Sequence, residues 1–141
     1  GGRVSAQPRR GGGFCVYPDR IEIEIGYPVT KVYIPKEYAA KDMKCARDVV
    51  REHELAHVGF NRDTLARHGP KIEAAARAVA EALARGVQAS SVDAGGRQIT
   101  ERIQSAMAGP VAAMERERNK LHQGIDNAES YRKTTARCRR W

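Results

Sequence analysis

The sequence has few aromatic residues and no long apolar run. Only eight of its 141 residues are aromatic, one Trp, five Tyr and two Phe, so a core must be built mainly from Ile, Val, Leu and Ala. No stretch approaches the roughly 18 consecutive apolar residues of a membrane span, which predicts that the chain does not cross a bilayer. The length leaves room for one domain with a single core.

Cysteine is scarce, and the three cysteines form no C-x-x-C pair, which excludes a cysteine-based zinc ribbon. Cys15, Cys45 and Cys138 are widely separated in the sequence. They fit one structural disulfide in an oxidising compartment, although the sequence leaves open which two would pair. Three buried free thiols would give the same sequence.

The chain is basic, with 25 Lys and Arg residues against 17 Asp and Glu residues and a formal net charge of +8. This charge suits an anionic partner such as nucleic acid, an anionic membrane surface or an acidic wall polymer. It also suits a soluble surface with surplus cations, which we favour because much of the surplus lies near the two ends. No segment resembles a known nucleic-acid-reading helix, so we expect no nucleic-acid partner.

The N-terminal third predicts a small antiparallel sheet. Residues 14–17 form a first short run, and residues 20–25 alternate isoleucine with glutamate at the period of a half-buried strand. Residues 29–34 are rich in β-branched side chains and end at a proline. We expect residues 1–13 to be a disordered leader outside the fold, either the remnant of a processed export signal or the scar of an expression tag.

The rest of the chain predicts helices. We expect a first helix over about residues 43–68 that ends at Gly69-Pro70, and a second over about 71–85. A loop over 86–96 and a third helix from Arg97 would follow. Gly109-Pro110 should kink or split that third helix. Residues 126–129 look like a capping box that starts a short last helix.

The predicted fold class is α+β, a small N-terminal antiparallel sheet (hairpin) followed by a helical bundle. The first of these helices carries the H-E-x-x-H motif described below. We expect residues 14–141 to form a single domain.

One motif carries chemistry, His53-Glu54-Leu55-Ala56-His57, which has the pattern H-E-x-x-H. Two histidines four residues apart project from one helix face, where their nitrogens can share a tetrahedral Zn²⁺. Glu54 would reach the metal-activated water and act as general base. The neighbouring residues are mostly apolar, so burying these polar groups without a metal would be costly. The alternative is a solvated helix face with an incidental His/Glu cluster.

On this motif the sequence resembles the zincin metallopeptidases and is similar to small exported bacterial zinc proteases. The resemblance implies a zinc-dependent hydrolase of peptide or amide bonds, periplasmic or secreted. It also implies His53 and His57 as metal ligands, Glu54 as catalytic base, and a peptide or protein substrate laid along the strand at 29–34. Peptidoglycan is a further candidate substrate, and the oligomeric state stays open.

A hydrolytic zinc site needs a third protein ligand, and the sequence leaves its identity open. The metzincin spacing would make it Asp63. However, Phe60 stands where that pattern has glycine, so we expect the helix to continue and Asp63 to point about 120° away from His57. The chain is therefore gluzincin-like more than metzincin-like.

Gluzincins take a glutamate from a later helix, and we favour Glu129. If Cys45 bridges Cys138 in antiparallel helices, Glu129 lies at the same height along the helix pair as Glu54 of the motif. Glu54 is nine residues from Cys45, and Glu129 is nine residues from Cys138. Against this, nine residues turn a straight helix by about 900°, which puts Glu129 opposite Cys138. Glu129 also suits the capping box. The other candidates are Glu73, Glu81, Glu101, Glu115 and Glu117, with Asp126 and His122 as outsiders.

Tyr131 lies seven residues before Cys138 and shares its helix face, so we expect it to look toward the first helix. A phenol there could donate a hydrogen bond to the oxyanion of a tetrahedral intermediate. The simpler interpretation is an aromatic residue at the edge of the core. The rival function for the whole chain is a non-enzymatic cell-envelope binding protein whose metal site is structural or vestigial.

Overall fold

The computed structural model describes residues 2–27 and 30–141. Within this part of the chain the strands form one antiparallel sheet in the order β1-β2-β3. Two short 3₁₀ turns, Lys36–Ala39 and Lys41–Met43, precede the first helix. The strands and helices are β1 (Gly2–Pro8), β2 (Phe14–Ile21), α1 (Lys44–Leu83), β3 (Val87–Ala89), α2 (Val92–Ile125) and α3 (Ala128–Thr135). The predicted α+β class, a small N-terminal sheet followed by long helices, is confirmed.

The chain groups into two compact units. The first comprises the residues up to Ile25 together with His68–Ala113, and it contains the sheet. The second comprises Gly26–Arg67 and Met114–Trp141, and it contains α3 and the first part of α1. A single domain over residues 14–141 stays a prediction. No helix in the described ranges is long and apolar enough to cross a membrane.

β1 lies inside the segment that we expected to be a disordered leader. It pairs with β2 from Gly2 opposite Ile21 to Pro8 opposite Phe14. Residues 12 and 13 in the intervening turn are glycines with φ of 92° and 73°, a left-handed backbone that glycine adopts without steric cost. The glycine-rich composition therefore belongs to a hairpin turn. Gly1 lies outside the described residues.

Two predicted strands differ from the structure. β2 ends at Ile21, and residues 22–25 form no strand despite their regular alternation. Residues 30–34 form none either, and Val29 lies outside the described residues. Alternation records a preference for extended backbone with one apolar face, but a strand also needs a neighbouring strand to take its backbone hydrogen bonds.

The core of the first unit lies between the sheet and the helices. Val16, Leu83, Val87 and Ile99 are each at most 4% exposed. Val87 of the short strand β3 lies opposite Val16 of β2, so the third strand closes the sheet over this cluster. The core is aliphatic, as the shortage of aromatic residues predicted. Partly buried side chains that pack against it are Ala6, Phe14, Val79, Ala89 and Ile103.

The first two helices are longer than we predicted. α1 continues through Pro70 and α2 through Pro110. An internal proline removes one helical hydrogen bond and costs about 3 kcal/mol, but continuing α1 buries Ile72 and Leu83 at 3% and 1% exposure. Part of the predicted loop over 86–96 is instead β3 and the start of α2, where Ser91 accepts a hydrogen bond from the backbone of Ala94.

In the second unit a disulfide joins Cys45, near the start of α1, to Cys138, which follows α3. This confirms the expected disulfide and selects one of the three pairings left open. Cys15 is a free thiol. The ion pair between Arg137 and Glu52, at 2.7 Å, joins the same two segments. Of the basic C-terminal residues, Arg137 is thus paired with α1.

Gly95 and Gly96 provide a matched test of how α2 packs on the sheet. A Cβ on Gly95 would lie 2.4 Å from Cγ2 of Val16, whereas one on Gly96 would meet nothing within 4 Å. We expect Gly95→Ala to lower the free energy of unfolding by about 1–3 kcal/mol because it overpacks the core. Gly96→Ala should raise it by up to about 1 kcal/mol, since alanine favours helix. Urea unfolding followed by circular dichroism measures both, and equal changes would contradict this packing.

Loss of the disulfide should destabilise the protein strongly. The bridged cysteines are 93 residues apart in sequence, and releasing a loop of that length costs about 4–5 kcal/mol in the chain-entropy model. We therefore expect the double variant Cys45→Ser/Cys138→Ser to unfold at much lower urea concentration than the oxidised protein. Cys15→Ser is the control and should unfold close to the parent. A double variant as stable as the control would contradict the expectation.

Candidate metal centre

Three side chains of the second unit converge on one point. His53 and His57 project from α1, and Asp126 follows directly after α2. The two imidazole Nε2 atoms are 3.2 Å apart, and each lies 3.1 Å from Oδ1 of Asp126. In the described ranges, 2–27 and 30–141, this is the one group of His, Cys, Asp and Glu whose donor atoms gather within 4.8 Å. The imidazoles are mostly buried, with 14% and 15% of each side chain exposed.

The three distances match one face of a coordination tetrahedron. Two ligand atoms that each lie about 2.0–2.1 Å from a tetrahedral zinc ion are about 3.3–3.4 Å apart. The observed triangle has edges of 3.1, 3.1 and 3.2 Å, nearly equal and slightly contracted. An ion seated over this triangle would touch all three atoms at once.

A chain of hydrogen bonds behind His57 determines where its proton lies. His57 Nδ1 is 2.8 Å from His122 Nδ1, and His122 Nε2 is 3.1 Å from Oδ1 of Asn61. Because the Asn61 oxygen only accepts, Nε2 of His122 carries the proton and donates it. Desolvation, followed by the positive charges of His57 and Arg118, lowers the pKa of His122 and favours its neutral form. Neutral His122 then accepts from the Nδ1–H of His57.

In this arrangement Nε2 of His57 faces the carboxylate oxygen of Asp126 at 3.1 Å. A proton or a cation placed between these two atoms would interact favourably with both. A proton can bridge only one pair of the three donor atoms, whereas a cation can contact all three at once. A hydrogen bond from the second nitrogen of a ligating histidine is also typical of metal sites.

Asp126 is ionised and so can act as a ligand. Desolvation works to raise the pKa of its carboxyl, but the hydrogen bond from Tyr131 and the adjacent imidazoles outweigh it and hold the pKa below its usual value. The hydroxyl of Tyr131 lies 3.1 Å from Oδ1 of Asp126. Its ring centroid is 5.7 Å from that of His53. The structure thus brings Tyr131 to the site, and its role at an oxyanion stays a prediction.

The structure does not bring the favoured third ligand, Glu129, to the histidines. Its carboxylate pairs with Lys133 at 2.7 Å, and 67% of its side chain is exposed. Asp63, the metzincin alternative, pairs with Arg62 and is also exposed. Asp126 lies beside the two histidines, where we had expected Glu129.

The capping of α3 explains this difference. The N-cap is Asn127, whose Oδ1 accepts a hydrogen bond from the backbone of Ser130 at 2.9 Å, so Asp126 is not used as a cap. The Asn127 amide also donates to the carbonyls of Gln123 and Gly124 at the end of α2. One side chain therefore ends α2 and begins α3, and it leaves Asp126 between them. α3 ends at Thr135, so Glu129 and Cys138 do not lie on one straight helix. The rotation of about 900° that we expected between them therefore does not apply.

Sequence reasoning also missed the contribution of Asn61 and His122. A usable signal was the spacing of four residues between His122 and Asp126, which places both on one face of a helix. The position of Asn61 four residues after His57 is a second signal of the same kind.

Glu54 lies beside this cluster. Its half-buried side chain lines a cavity of about 190 Å³ together with His57 and Asn61. Thr30, Lys31 and Val32 also line this cavity. The structure therefore brings together His53, Glu54 and His57, the three motif residues that the sequence predicted, and adds Asp126.

No protein-family model, curated protein or solved structure matches this chain. The likeness to zincins therefore rests on the H-E-x-x-H motif alone. The interpretation of the site rests on the geometry of its own residues.

We expect the purified protein to bind one Zn²⁺ through His53, His57 and Asp126. Losing a residue that only orients a metal ligand weakens binding roughly 10–100-fold. We expect a larger loss of zinc affinity in each of the ligand variants His53→Ala, His57→Ala and Asp126→Asn. Competition with a chromophoric chelator measures the affinity. Glu129→Gln is the control and should bind zinc as the parent does. A loss in Glu129→Gln as large as that in Asp126→Asn would contradict the assignment.

Proposed function

We propose that this protein is a zinc-dependent hydrolase of peptide or amide bonds. The observation that carries the proposal is the triangle of His53, His57 and Asp126, whose three donor atoms lie 3.1–3.2 Å apart. Three protein ligands leave one position of a tetrahedral ion for solvent or substrate, as in catalytic zinc sites. The presence of Glu54 on the same helix supplies the base that such a site needs.

The residues around the triangle suit hydrolysis. A zinc ion bound there would polarise the substrate carbonyl and lower the pKa of a water molecule. Glu54, half-buried at the cavity beside His57, takes the proton from the attacking water and returns it to the leaving amine. His122 and Asn61 hold the His57 ring in the tautomer that presents its Nε2 lone pair to the ion.

The cavity beside Glu54 gives a path for substrate. Thr30, Lys31 and Val32, part of the segment that we had predicted to be a strand, also line it. A peptide laid along this segment would lie in the same cavity as Glu54 and His57. Peptides and proteins are therefore the proposed substrates, and peptidoglycan is the second class to test.

We place this activity in the bacterial periplasm or outside the cell. The support is the disulfide between Cys45 and Cys138, because stable structural disulfides belong to oxidising compartments. The site lies on the same helix as Cys45, eight residues further along for His53. Oxidation would therefore fix the segment that carries the histidines.

The alternative is a non-enzymatic cell-envelope protein with a structural metal. Structural zinc sites are closed by four protein ligands, whereas the described part of the chain brings three together. Glu54, which lines a cavity beside His57, also supplies the base that hydrolysis needs and that a structural site does not. Both observations favour the hydrolase.

Replacement of Glu54 by glutamine separates these two functions. We expect Glu54→Gln to keep zinc and thermal stability but to lose hydrolysis by roughly 10²–10⁴-fold, because an amide cannot accept the proton. Zinc content is measured by metal analysis, and hydrolysis by mass spectrometry of peptide mixtures and of peptidoglycan. Glu52→Gln, two residues away and exposed, is the matched control and should hydrolyse as the parent does. Full activity in Glu54→Gln would contradict the proposal.

A further inference from the structure

We propose that a second pocket at the metal centre, with Arg118 in its wall, binds a carboxylate of the substrate and so selects peptides that carry one next to the bond cleaved. The inference deepens the proposed function and rests on it. The carboxylate has two sources, an acidic side chain or the C-terminus of the peptide. Both present the same planar anion.

The pocket is a cavity of about 360 Å³ in the second unit. Its wall includes Asp126, the proposed third ligand, together with His122 and Asn61, which orient His57. It therefore borders the metal centre directly. The cavity beside Glu54 is a different one, and the two cavities share Tyr27 and Asn61. A substrate that spans the zinc position has room on both sides of the bond cleaved.

Arg118 lies on the face of α2 that meets the metal centre. It precedes His122 by four residues and Asp126 by eight, a spacing that keeps all three on one side of a helix. Its guanidinium lies 6.0 Å from the ring centroid of Tyr27, and its Nε and Nη2 donate to Oδ1 of Asn119 at 3.3 and 3.1 Å. Stacking and hydrogen bonding thus hold the guanidinium in place.

The guanidinium still has binding capacity. Two of its five N–H groups are used by Asn119, which leaves three. Within residues 2–27 and 30–141 no carboxylate pairs with Arg118, although Arg67 on α1 is paired with Glu117. Arg118 as a residue is half-buried. A guanidinium with N–H groups to spare matches the geometry of a carboxylate, which it can bind through two parallel hydrogen bonds.

The other polar groups of the pocket also favour an anion. The Asn61 oxygen accepts from His122 and the Asn119 oxygen accepts from Arg118. Both oxygens therefore already accept hydrogen bonds within the protein. The carboxylate of Asp126 is the one negative group in the wall, and ligation to a cation would offset its charge. Arg118 supplies the permanent positive charge of the pocket wall.

Binding of small probes tests the pocket without relying on catalysis. The zinc-loaded protein is titrated by NMR with N-acetylglutamate α-amide, which carries a side-chain carboxylate, and with N-acetylglutamine, which carries a C-terminal carboxylate. N-acetylglutamine α-amide, which carries neither, is the uncharged reference. We expect at least one charged probe to bind more tightly than the reference. The tighter of the two charged probes identifies the source of the carboxylate.

Two arginine variants separate the pocket from general attraction of anions to a basic protein. Arg118→Gln should weaken binding of the charged probe roughly 10–100-fold, and Arg118→Lys should recover part of the loss. Arg116→Gln removes the same charge from an exposed position two residues earlier and should bind as the parent does. Equal weakening in Arg116→Gln and Arg118→Gln, or binding of charged probes no tighter than the reference, would overturn the inference.

Cleavage specificity distinguishes failure of the pocket from failure of the hydrolase. In a mixture of peptides, the parent should cut next to Asp or Glu, or remove C-terminal residues, and Arg118→Gln should lose that preference. Hydrolysis that shows no preference for a carboxylate would overturn the pocket and leave the hydrolase standing. Charged probes that bind through Arg118 in a protein that neither holds zinc nor cuts peptides would support the pocket alone and overturn the hydrolase.

Discussion

The candidate site depends on the close approach of His57 to Asp126. A chain of two hydrogen bonds, from His57 through His122 to Asn61, directs an imidazole lone pair at a carboxylate oxygen only 3.1 Å away. A proton or a cation between these atoms makes the contact favourable. The same chain of hydrogen bonds orients the His57 ring in the way that is typical of metal-ligating histidines, so an ion bound there would stabilise this part of the molecule.

Two features keep Asp126 where this interaction needs it. Asn127 caps both the end of α2 and the start of α3, which holds the turn between them in one conformation. The disulfide from Cys45 to Cys138 then ties the segment after α3 to the helix that carries both histidines. Neither feature touches the candidate metal position. Both limit how far the carboxylate can move from it, and preorganised ligands bind a metal with less loss of conformational entropy.

The fold could be predicted in class but not in detail. Regular alternation over residues 20–25 correctly indicated β structure nearby, yet only Ile21 and the residue before it belong to a strand. β1 lies in a glycine-rich segment with little strand propensity. It is a strand because it pairs with β2. Pro70 did not end α1, since burial of Ile72 and Leu83 on the continuing helix outweighs one missing hydrogen bond. Local propensity yields to tertiary contacts in each case.

The sequence by itself determined the pairing of His53 with His57, because residues four apart on a helix meet whatever the rest of the chain does. It also placed Glu54 beside them. Only the tertiary structure decided the third member, Asp126 rather than Glu129, and the partners of His57. Those contacts join residues more than 60 positions apart, and their formation depends on where α2 ends and how Asn127 caps the next helix. Spacing along the chain carries no information about such an approach.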